Sequence, residues 1–115
     1  MTTLYHYTCD HGAAGIARDG WVSPLSDRVE APYPQADFAW FTDLDTPIRE
    51  ALGLTSHILS CDRTAHRFKV TDATEVARYL DVRRNLPSLH DLELAPGAMP
   101  AHWWIASEPV PVVAT

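Results

Sequence analysis

Three short stretches of this chain carry side chains able to do chemistry: His6 with Thr8 inside Leu4-Tyr5-His6-Tyr7-Thr8, the run Trp40-Phe41-Thr42, and Ser107-Glu108-Pro109. Side chains alternate across a strand, so His6 and Thr8 share a face with Leu4 while Tyr5 and Tyr7 take the other. An imidazole beside a hydroxyl can hold a ligand hydroxyl or move a proton near neutral pH. A histidine hydrogen-bonded within the fold explains His6 equally simply, and Thr8 also reads as an ordinary β-former. Of Trp40 and Phe41, one ring faces the core and the other the opposite surface, where a flat ligand ring could stack. Core packing accounts for both as well. Glu108 follows the apolar run Trp103 to Ala106. An unpaired carboxylate is costly to bury, so it needs a partner, a solvent-facing position or a catalytic role.

The remaining inventory excludes several chemistries. His57, His66, His90 and His102 show neither His-x-x-x-His nor the Cys/His spacing of zinc sites, so no metal is expected. Cys9 and Cys61 are the only cysteines and form no Cys-x-x-Cys, which removes a disulfide framework. A Cys9–His nucleophilic pair stays open, but no local motif supports it. None of the other five histidines repeats His-x-Thr or His-x-Ser, which excludes a two-histidine phosphoesterase, and the five glycines form no Gly-x-Gly phosphate loop. A formal charge of −6 argues against a broad surface that tracks nucleic-acid phosphates. The basic clusters Arg63, Arg67, Lys69 and Arg78, Arg83, Arg84 read as solvated faces. No secretion signal and no apolar run of membrane-spanning length is evident, so a cytoplasmic protein with no membrane partner is expected.

These residues need elements to position them. At 115 residues, 46% hydrophobic and 21% charged, the chain reads as a single globular domain over residues 1–115. A strand is expected over 3–8, then a helix from Asp10, its N-cap, to Arg18, ended by Gly20. Ser23-Pro24 reads as a turn, and Leu25 to Asp37, with Pro32 and Pro34, as an exposed loop. Phe38 to Thr42 is a second strand. Thr46 and Pro47 launch a short helix, Ile48 to Leu52, that Gly53 closes. Ser60 to Val70 reads as extended, Thr71 to Thr74 as a turn, Glu75 to Val82 as a helix and Leu86 to Leu94 as a further helical turn or two. His102 to Val113 reads as one or two strands, with Pro109 and Pro111 demoting part of it to an edge. Strands not joined by regular crossover helices point to the α+β class.

The order of Tyr5-His6-Tyr7-Thr8, Ile16-Ala17-Arg18-Asp19-Gly20 leading to Pro24, Trp40-Phe41-Thr42 and Trp104-Ile105-Ala106-Ser107-Glu108-Pro109-Val110 resembles the ADP-ribosyltransferase superfamily. Small bacterial and phage members, and the related RNA 2′-phosphotransferases, are similar in opening on a strand with His-x-Thr or His-x-Ser. The resemblance spans nearly the whole chain and implies a split, twisted β-sheet core that clamps NAD as co-substrate. It implies that His6 bonds a ribose hydroxyl, that Thr8 supports it, and that the backbone of Tyr7 contacts the nicotinamide amide. Trp40 or Phe41 would form a ring-stacking wall, with Tyr33 as a substitute. Glu108 would be the catalytic glutamate, beside His6. The acceptor implied is a protein or nucleic acid, in the setting of a toxin with an antitoxin or host-protein partner. The phosphotransferase variant would draw on Arg63 and Arg67 for phosphate. The competing reading is a fold that has lost catalysis and binds partners through Trp40-Phe41 and Trp103-Trp104.

Overall fold

The computed structural model describes residues 2–28, 30, 33–52 and 62–115. The chain runs β1 (Tyr5–Thr8), α1 (Asp10–Asp19), β2 (Trp21–Val22), β3 (Ala39–Thr42), α2 (Arg49–Leu52), β4 (His66–Val70), β5 (Ala77–Arg78), α3 (Tyr79–Val82), β6 (Trp103–Ala106) and β7 (Val110–Ala114). The strands form a seven-stranded sheet in the order β2-β7-β4-β1-β3-β6-β5. Every pairing in it is antiparallel. The class is α+β, as the scattered strand signals imply. Among the described residues no helix is long and apolar enough to cross a membrane.

Strand alternation divides the interior in two. Leu4, Phe41, Phe68, Val112 and Ala106 face α1 and, with Ala13, Ile16, Val22 and Val110, make the first core. Trp103 and Ile105 point the other way and meet Tyr79 and Leu89, with Trp40, Val82 and Leu86 against them. The chain after β4 supplies this second layer: α3 continues into 3₁₀ turns at Arg83–Asn85 and Pro87–Leu94. Arg83 donates twice to Glu93, at 3.0 Å each, and the buried Tyr79 hydroxyl donates to the same carboxylate at 2.7 Å. That network ties α3 to the 3₁₀ run it must pack beside.

Helix α1 sits directly on β1. A Cβ built on Gly12 would come within 2.0 Å of the Thr8 hydroxyl, so only glycine permits this approach. Gly20 ends the helix at φ +82°, its N–H donating to Ile16 O at 2.7 Å. The N-cap is Cys9, without a side-chain cap bond, and Asp10 lies inside the first turn, where it accepts from His66. The expected Asp10 cap is therefore replaced by a link to β4.

Other expectations change as well. The helix expected from Glu75 is a two-residue strand, Ala77–Arg78, followed by one helical turn. The backbone of Ala77 and Arg78 completes the open edge of β6 opposite Ile105 and Trp104, and this tertiary pairing overrides helix propensity. Thr46 donates its hydroxyl to Asp45 instead of capping α2, which begins at Arg49. The expected extended stretch is strand only from His66; before it, Asp62 accepts from the Thr64 N–H and hydroxyl in a turn. Gly53, Ser60 and Pro32 lie outside the described residues. Pro111 does not make β7 an edge: β7 pairs with β2 through Val110 and Pro111, then with β4 through Val112 to Ala114. The proline falls where the strand changes partner, and its carbonyl accepts from Thr71 N–H at 3.0 Å. The proline's missing N–H interrupts no continuing ladder there.

Candidate functional site

His6 lies in the centre of the sheet. Tyr5 pairs with Thr42, which sets His6 beside Phe41, with ring centroids 5.7 Å apart. On its other side His6 pairs with Phe68, and beyond Phe41 the same row continues to Trp104 and Arg78. The imidazole Nδ1 lies 2.7 Å from the carbonyl oxygen of Trp40. A carbonyl only accepts, so Nδ1 carries the proton and donates it. Burial holds the imidazole below the usual histidine pKa, the bond to Trp40 opposes that, and the charges of Arg63 and Arg28 add to the lowering. His6 is thus neutral at pH 7, and Nε2 presents a lone pair with no hydrogen-bond donor on it among the described residues.

The neighbours expected to share this site separate by strand parity. Thr8 is on the His6 face, buried under Gly12. Tyr7 is on the opposite face, and its hydroxyl donates to Leu44 O at 2.8 Å. Of the two rings offered for stacking, Phe41 meets His6 but is itself buried. The Trp40 ring belongs to the second core, 6.1 Å from Tyr79 and 6.0 Å from Trp103, with its indole N–H on Gln35 O. Phe41 and Trp103 are buried, and Trp40 and Trp104 are half-buried against the two cores. Tyr33 is exposed at 48%.

Glu108 stands in the turn between β6 and β7, exposed and without an ion pair or hydrogen bond among the described residues. It follows Trp104, the row-mate of Phe41, by four positions in the sequence. Glu108 and His6 make no mutual contact. A cavity of about 210 Å³ opens beside the preceding residue, Ser107, with Phe38, Val82, Leu86 and Ile105 as apolar walls and Glu75 and Asn85 among its polar lining. A second, of about 420 Å³, lies between Thr2, Lys69 and Val113. Neither is lined by His6 or Glu108.

Two features were not singled out from sequence. His102 Nδ1–H donates to Asp43 at 2.6 Å, continuing the β3–β6 pairing past Trp103, a link between residues 59 apart in sequence. Arg28, at the end of a 3₁₀ turn (Leu25–Asp27), reaches α1: a Cβ on Gly15 would lie 3.2 Å from its Nη1. Arg67, by contrast, is occupied on the opposite face, over the Tyr5 ring at 4.9 Å and donating to Asp45 O. Trp104 Nε1 is buried without an acceptor among the described residues. No cluster of metal-ligating side chains occurs among them. Comparison with family models, curated proteins and solved structures finds no match to this chain.

Proposed function

We propose that the protein is a small NAD-dependent ADP-ribosyltransferase, with a split-sheet fold of that superfamily and His6 and Glu108 as its working groups. The observation that carries the reading is the fixed tautomer of His6. A neutral imidazole tied by Nδ1 to Trp40 O offers Nε2 as a pure acceptor, which suits a ribose hydroxyl and not a phosphate. The change of partner within β7 supports the split sheet. The exposed Glu108 carboxylate has no ion-pair partner among the described residues and is available to a ligand.

In the reaction the bond from ribose C1′ to the nicotinamide nitrogen breaks, and its electron pair leaves with nicotinamide. Positive charge builds on the sugar as it does in glycoside hydrolysis, and a carboxylate stabilises it. The acceptor's hydroxyl or amine then forms the new bond to C1′, and Glu108 takes its proton. His6 holds the sugar in position, which supplies rate by orientation alone. Exposed Tyr33 and the open part of Trp40 are the aromatic surfaces a nicotinamide ring could meet. The acceptor is a macromolecule, protein or nucleic acid, and such an activity in so small a protein fits a toxin with an antitoxin or host partner.

The test is transfer itself. NAD labelled in its adenylate phosphate is incubated with the protein and a cell extract, and the protein and nucleic-acid fractions are counted. Label in one fraction with the native chain, absent with Glu108→Gln, is the expected result. Equal labelling with and without the glutamate contradicts the assignment.

A further inference from the structure

We infer that the cavity of about 210 Å³ at the rim of the second core is a binding site for a small primary amine with an apolar body, of the size of a phenyl ring on a short arm. Its walls belong to packed elements. Ile105 lies on β6, Ala77 on β5 and Val82 at the end of α3, while Leu86 follows the 3₁₀ turn Arg83–Asn85. Ile105 is part of the second core, and Phe38, Val82 and Leu86 pack against that core. The ion pair of Arg83 with Glu93 ties this helical side of the cavity to the 3₁₀ run Pro87–Leu94. Walls held in this way stand ready before a ligand arrives, as in most small-molecule sites.

Size limits the ligand's body, and the polar lining chooses its head. An apolar cavity of about 150 Å³ accepts benzene. One of about 210 Å³ therefore holds a ring and a few atoms more. Three side chains of the described lining are polar: Glu75 in the turn before β5, Asn85 at the end of its 3₁₀ turn and Ser107 just after β6. All three are exposed, and none makes a side-chain hydrogen bond or ion pair among the described residues. A carboxylate, a carboxamide oxygen and a hydroxyl oxygen can each accept, and an ammonium brings three N–H donors and no acceptor. Glu75 is the one charged residue of that lining. Of the neighbouring cations, Arg78 is turned to the other face of the sheet, 5.9 Å over the Trp104 ring, and Arg83 is spent on Glu93. Arg84 lies outside the lining. An anion would meet the Glu75 carboxylate directly, and a neutral ligand would leave it without a counter-charge. The formal charge of −6 draws cations at longer range as well.

Neither His6 nor Glu108 lines this cavity, so the amine site stands or falls apart from any reaction with NAD. Titration calorimetry tests it with 2-phenylethylamine, with 2-phenylethanol as the neutral counterpart, with 3-phenylpropanoate as the anionic one, and with N-acetyl-lysine methylamide. The expected result is saturable binding of the amine, none of the anion, and an alcohol that binds about tenfold more weakly than the amine. Glu75→Gln should weaken the amine about tenfold and leave the alcohol unchanged. Asp81→Asn, which removes a nearby carboxylate on α3 that does not line the cavity, should alter neither. Ala77→Leu fills the space and should abolish binding of both. If that variant fails to fold because Ala77 pairs with Ile105, the exposed Glu75 substitution decides alone. No saturable binding of the amine at millimolar concentration, or an affinity within twofold of native in Glu75→Gln, overturns the proposal. Tighter binding of the lysine derivative than of the free amine overturns the small molecule as occupant and gives the cavity to a protein's lysine side chain.

Discussion

At the scale of single residues the account depends on which nitrogen of His6 carries the proton. The period of two places His6 and Thr8 on one face and Tyr7 on the other, and the structure keeps that division. What fixes the tautomer is a main-chain oxygen on β3, and a backbone acceptor leaves no mark in a sequence. Arg28 was equally invisible, because its approach depends on the bare backbone of Gly15. The lowered pKa of His6 gives a testable sign. As pH falls through about 6.5 the unfolded chain takes up the histidine proton before the folded one does, so folding loses stability, and the loss levels off below the folded pKa. Urea unfolding at pH 7.5 and 5.5 should therefore show the native protein losing its advantage over His6→Gln on acidification. An advantage that grows at pH 5.5 would mean that the folded imidazole is charged.

At the scale of elements, β1, α1, β3 and the β6–β7 region were legible because each has a strong period and a turn or cap residue at its end. The two-residue strands β2 and β5 were not, since no period shows in two residues and only a neighbour's open edge defines them. The seat of α1 on β1 is open to test through Gly12→Ala. Alanine would raise helix propensity by about 1 kcal/mol, but a Cβ at 2.0 Å from the Thr8 hydroxyl must displace a buried group. Overpacking of this kind costs about 1–3 kcal/mol and should win. Thr8→Ala in the same chain should recover part of the loss in a double-mutant cycle. A Gly12→Ala protein as stable as the native one would show that the helix is not seated there. The second layer has its own probe in Tyr79, whose hydroxyl is pushed up to about 12, first by burial and then by Glu93. Tyr79→Phe removes a donor from a carboxylate and should cost about 1–2 kcal/mol by urea denaturation. No change would mean that Arg83 alone secures Glu93.

At the scale of the whole molecule the strand order is what sequence reasoning could not supply. In an antiparallel sheet with long connections, adjacency is decided by which apolar faces meet, and β7 lies between β2 and β4 despite Pro111. That topology puts His6 on the central strand and Glu108 in a turn at the end of β6, both in one domain but out of mutual contact. It also buries Trp103 in the second core and packs the half-buried Trp40 against it. The central claim is that this arrangement acts on a dinucleotide sugar. Purified protein incubated with NAD and followed for free nicotinamide tests it most directly. Steady release by the native chain is expected, with loss of release in His6→Gln and in Glu108→Gln, the latter with an unchanged melting temperature. No release by the native chain with acceptor-containing extract present, or release undiminished by both substitutions, would contradict it.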